Sequence, residues 1–175
     1  MEGVMDGEPT MDALTTAVVE TARHTADDGW GLRPRLFALA ERAALTGLAA
    51  DLPEKVKSAP DNALIPIAQD QIPDGKPVEV LASIHWPTEV AGCVLVTEVT
   101  LLPEEAKTTA WLSPDDERWT AAYPNGRKGR LTVGVLRPTD ERAHYACCLQ
   151  LEGDDSLRIG PDLADDLVTA LLSTL

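Results

Sequence analysis

Basic side chains are in short supply in this chain of 175 residues: 15 Lys and Arg stand against 29 Asp and Glu, a formal net charge of −14. A surface of that sign repels phosphate backbones and anionic lipid headgroups within the Debye length, so neither nucleic acid nor a membrane is expected as a partner. The same excess is a common route to solubility and by itself names no partner. Long apolar runs are missing as well. No window reaches the roughly 18 consecutive apolar residues of a membrane span. Residues 1–10 carry acids and glycine where an export signal would carry basic residues and then an apolar stretch. A soluble, cytoplasmic protein is the expectation.

Cysteine and histidine are scarce too, with three of each. Cys93, Cys147 and Cys148 lie inside apolar, strand-like runs and not at the spacings of a disulfide framework or a zinc site, which suits reduced thiols in a cytosol. Cys148 and His144 share a strand face, yet four residues of strand separate them by roughly 13 Å, too far for a thiol–imidazole pair. Adjacent Cys147 and Cys148 point to opposite faces, against a redox pair. His24, His85 and His144 are scattered, and no carboxylate stands at a recognised ligand spacing from them, so no metal and no other cofactor is expected.

Further motifs of known chemistry are incomplete or absent. Asn125-Gly126-Arg127-Lys128-Gly129-Arg130 has the glycines and cations of an anion loop. It lacks the Ser or Thr after the lysine and the helix that a phosphate-binding loop needs, and reads better as the entry to a hairpin. Glu152, Asp154 and Asp155 lack the alternating acids of a calcium loop and read as an acidic turn. No nucleophile elbow and no dinucleotide fingerprint is found. An enzyme is therefore not the favoured reading.

What is present is a globular composition, 44% hydrophobic and 25% charged, in a length that buries roughly 70% of its unfolded surface around one core. Met11, Leu14, Val18 and Ala22 are at helical spacing, with Gly29 as a left-handed stop. From Pro34 the apolar run Leu36 to Leu48 reads as helix, although residues 35–39 alternate and fit a strand equally well. Prolines 53, 60, 66, 73 and 77 punctuate the next stretch and leave room only for a short edge strand at Leu64–Ala68. A short helix around Val78–Ile84 ends before Pro87.

Ala91–Leu102 is apolar on both alternating sets until Glu98, as in a central strand covered on two sides. A polar insertion, residues 103–128, contains a short helix capped at Ser113 and carrying Trp119 and Tyr123 on one face. Leu131–Val135 and Tyr145–Leu151 form an antiparallel hairpin across the turn-rich Arg137–Glu141 link. After an acidic turn at Gly153–Asp155, a final helix begins near Pro161 or Asp162. The order predicts an α+β fold: an antiparallel sheet of about three to five strands packed against N- and C-terminal helices. Residues 1–10 are expected to form a flexible terminus before a single domain, 11–175.

Leu36-Phe37-Ala38-Leu39, the His85-Trp86-Pro87 turn leading to Ala91-Gly92-Cys93, Val133-Gly134-Val135-Leu136-Arg137 and Gly160-Pro161-Asp162-Leu163 together resemble a family of uncharacterised actinobacterial proteins. The likeness covers most of the chain. It implies a cytosolic protein and brings no reaction, cofactor or catalytic residue with it.

Two functional expectations follow from the residues. The first is a non-enzymatic interaction domain, chaperone-like or adaptor in character, that holds a protein segment on a sheet face or edge, or associates with a second copy of itself. The second is a small enzyme or ligand-binding protein with a pocket between the insertion and the sheet. Its candidate residues are His85, Trp86, Arg130 and His144; Trp119 and Tyr123 are the aromatic candidates for a binding surface, with core anchoring as their alternative role.

Overall fold

The helical spacing of Leu14, Val18 and Ala22 is realised as helix α1, Met11–Ala26, in the computed structural model. That structure describes residues 11–42, 45, 63–69, 77–101, 127–138, 144–153, 157–160 and 165–175. α1 buries Leu14, Ala17, Val18, Thr21, Ala22 and Thr25 along one side. The two buried hydroxyls stay satisfied inside the helix, Thr21 donating to the Ala17 carbonyl at 2.7 Å and Thr25 to the Thr21 carbonyl at 2.8 Å. Gly29, at φ 83°, turns the chain away from the helix as expected of a left-handed stop.

Residues 35–39, which fit helix or strand, are strand. β1, Arg35–Glu41, buries Leu36 to Ala40 without a break, because it lies inside a sheet covered on both faces and so loses the alternation of a half-exposed strand. β2, Leu64–Ala68, follows, then a short helix α2, Pro77–Leu81. β3, Gly92–Leu101, pairs over its whole length with β4, Arg127–Leu136, and β4 pairs with β5, His144–Leu151. A four-residue strand, β6, Leu157–Gly160, precedes the last helix, α3, Asp165–Leu172.

Every pairing is antiparallel, in the order β2-β1-β3-β4-β5-β6. The antiparallel sheet with N- and C-terminal helices is as expected, extended by β6, which four residues of sequence beside an acidic turn do not reveal. Arg127 and Lys128, assigned above to the insertion, belong to β4. Residues 1–10, the rest of the insertion with its capped helix, and the helix start at 161–162 lie outside the described residues.

Helices cover both faces. α1 packs Leu14, Val18 and Ala22 on Phe37, Leu39, Val94, Val96, Ala146 and Cys148. α2 and α3 bring Leu81, Leu167, Val168 and Leu171 to Leu36, Leu95, Leu131, Val133, Val135 and Cys147 on the opposite face. Each fully buried leucine or valine contributes roughly 1.5–3 kcal/mol. α1 rides close to the sheet because Gly134 has no side chain: a Cβ there would lie 2.5 Å from Val18 Cγ2.

Candidate functional site

The even-numbered residues of β4 face α1, and toward the end of that face the chemistry changes from apolar to charged. Glu98 on β3 stands opposite Arg130 on β4. Its carboxylate, only 9% exposed, accepts the backbone N–H groups of Gly31 at 3.1 Å and Leu32 at 2.9 Å. It also pairs with Lys128 Nζ at 3.1 Å and Arg130 Nη2 at 3.5 Å. Arg130 Nη2 donates to the Gly29 carbonyl as well. The guanidinium carbon lies 4.5 Å from the centroid of Trp30, and Lys128 Nζ lies 5.8 Å from the same ring, both within cation–π range. The cluster thus fixes the Gly29–Leu32 loop to the two central strands. Burial raises the pKa of Glu98, but the Leu32 N–H, the Lys128 hydrogen bond and the charges of Lys128 and Arg130 outweigh it and hold the carboxyl below its ordinary value.

Beside this cluster a groove of about 470 Å³ runs between α1 and the β5–β6 margin, lined by Val19, Arg23, Ala26, Asp27, Gln150, Leu157 and Ile159. Gln150 is the cross-strand neighbour of Arg130. Ile159, on the edge strand β6, is 59% exposed at the groove's rim. The opposite edge, β2, is built differently. Pro66 removes a backbone donor, and the Gln69 side chain donates to the Ile67 carbonyl at 3.0 Å.

The residues singled out from the sequence do not gather in one place. Arg130 is central to the ion cluster. His144, half-buried, is also on the α1-facing set, but it pairs with Leu136 and lies six residues along β5 from Gln150, roughly 20 Å away. Trp86 packs on the other face against the α2–α3 cluster, its backbone N–H bonded to the Thr174 carbonyl at 2.9 Å. His85 beside it is exposed. Trp119 and Tyr123 lie outside the described residues. Trp30 and Glu98 carry no motif, and the one signal of the cluster in the sequence is a single acid inside the apolar β3.

The thiols belong to the core. Cys93, Cys147 and Cys148 are free and buried. Burial pushes Cys93 up to about 11, against a weaker opposing effect of Thr174, whose hydroxyl is 3.7 Å away. Burial pushes Cys148 up to about 11 as well. Ellman's reagent at pH 8 is expected to leave the native protein unmodified and to titrate all three thiols in guanidinium; rapid labelling of the native chain contradicts this assignment.

The fold and its site define an α+β protein of three layers, a six-stranded antiparallel sheet between helices, with a buried ion cluster at one end of the α1 face. Among the described residues no group of three or more His, Cys, Asp or Glu is placed to hold a metal ion, and no helix is long and apolar enough to cross a membrane. The chain belongs to the PPA1309-like protein family, whose model matches residues 14–175. That family has no assigned activity, and its name derives from Propionibacterium, an actinobacterium. No curated protein and no solved structure matches the chain.

Proposed function

We propose that the protein is a non-enzymatic interaction domain that adds an extended protein segment to β6 and seats the segment's apolar side chains in the groove beneath α1. The difference between the two sheet edges carries this reading. An exposed edge offers unpaired backbone groups to another strand and is normally blunted. β2 is blunted by Pro66, whose missing donor faces the free edge, whereas β6 contains no proline and presents Ile159 beside a groove that Val19, Leu157 and Ile159 share with polar side chains. The charge of −14 repels a second copy and favours a segment carrying Lys or Arg. Three free, buried thiols suit a cytoplasmic setting for this activity.

Selection from a random peptide library, followed by fluorescence polarisation, tests the proposal. Selected peptides are expected to alternate apolar residues with basic ones. Ile159→Lys is expected to weaken them by about tenfold or more, and Ile67→Lys on β2 to leave them unchanged. Failure to select any peptide, or equal binding by both variants, removes the proposal. Light scattering that shows a dimer dissolved by Ile159→Lys would assign the edge to self-association instead.

A further inference from the structure

A guanidinium has five N–H bonds. In Arg130, Nη2 donates to the Gly29 carbonyl and forms an ion pair with the Glu98 carboxylate at 3.5 Å. The N–H on Nε and the pair on Nη1 reach no acceptor among the described residues, although both nitrogens are closed off from solvent and the side chain is only 1% exposed. Two residues along the same face of β4, the buried hydroxyl of Thr132 is unpartnered too. Leaving buried donors unmatched is costly, so this arrangement calls for an acceptor on the α1 face of β4.

The local charge balance says what kind of acceptor. Lys128 and Arg130 share the single carboxylate of Glu98, and that carboxylate is already engaged by two backbone N–H groups. Asp28, the other acid whose titration senses Arg130, is engaged by Arg35 at 2.6 Å. Among the described residues the cluster therefore carries one positive charge in excess, inside a protein whose net charge is −14. Trp30 covers a face of the guanidinium, so a ligand would be engaged through the in-plane N–H groups of Nε and Nη1.

We propose that Arg130 and Thr132 form a binding site for a monoanionic carboxylate, free or at the end of a larger molecule. A single negative charge neutralises the excess, whereas a phosphate dianion would exceed it in a poorly solvated place. This site is independent of peptide capture at β6.

The test uses the ¹⁵N-labelled full chain, titrated with sodium acetate against sodium chloride at constant ionic strength, with sodium phosphate as a parallel arm. The expected result is a saturable shift of one arginine Nε–Hε resonance with acetate and not with chloride. Thr132→Val, which replaces the hydroxyl by a methyl of similar shape, is expected to raise the acetate Kd about fivefold without lowering the melting temperature of the unliganded protein. A response equal in chloride, or a Thr132→Val variant with unchanged Kd, overturns the site by assigning these donors to water alone. Saturation by phosphate in preference to acetate overturns the carboxylate assignment.

Discussion

Gly92→Ala is expected to lower stability by about 3 kcal/mol and to shift the urea midpoint while leaving the slope of the transition unchanged. Gly92 is the first residue of β3 and pairs with Leu39 on one side and Leu136 on the other. A Cβ added there would run into the Val135 carbonyl oxygen at a separation real Cβ atoms do not show, and would lie 3.1 Å from Leu136 Cα. These are backbone atoms of the neighbouring strand, so no rotamer change relieves the contact. The strands would have to part where Ala91 N–H bonds the Leu39 carbonyl at 2.9 Å and Arg137 N–H bonds the Ala91 carbonyl at 2.7 Å. Gly134→Ala provides the internal comparison. Its Cβ would meet Val18 Cγ2 and Leu14 Cδ1, side-chain atoms on a helix that can yield, and a smaller loss of about 1 kcal/mol is expected. A Gly92→Ala loss equal to or smaller than the Gly134→Ala loss contradicts this account.

The legible parts of the fold were those in which a local period matched a single environment. α1 shows its 3.6-residue spacing because only one side touches the sheet, and the β4–β5 hairpin and β3 were readable from alternation and from two-sided apolarity. β1 was ambiguous because both its faces are buried: Leu36, Phe37, Ala38, Leu39 and Ala40 form a continuous apolar run that fits either structure. β6 was missed because Leu157 and Ile159 alternate over too short a length to compete with the turn signals before them, and its pairing with β5 is a tertiary event.

The site was less legible than the fold because its parts lie far apart in sequence. Gly31 and Glu98 are separated by 67 positions, and Arg130 and Gly29 by 101. The glycine-rich surroundings that mark Arg130 in the sequence are the start of a strand. Its partners follow from sheet register, which places Glu98 opposite it and Gln150 on its other side. No spacing rule in the sequence encodes that register. His85 and Trp86 drew attention as an aromatic–imidazole pair at a helix end. The structure places Trp86 across the sheet from the ion cluster, because the chain enters β3 from the α2–α3 side.

Replacing Glu98 by Gln is expected to cost about 1 kcal/mol at pH 7, since it leaves Arg130, nearly fully buried, beside a neutral amide and takes the charge from the acceptor of the Gly31 and Leu32 N–H groups. The same carboxyl makes a definite pH dependence. Its folded pKa lies below the ordinary value of 4.5, so its stabilising effect is fully present above about pH 4.5. As pH falls through the lower folded value the effect is lost, because the unfolded chain takes up the proton first. The gap between wild type and Glu98→Gln, measured by urea unfolding, is therefore expected to be widest near neutrality and to close in acid, where wild type itself carries a neutral side chain at this position. Tryptophan fluorescence of the folded variant adds a local readout: with the loop released, the difference between the variant and its Trp30→Phe derivative is expected to report a more solvated indole. A gap that stays constant from pH 7 into acid would mean that the carboxylate's charge does not hold the Gly29–Leu32 loop, and that Trp30 stacked on Arg130 holds it alone.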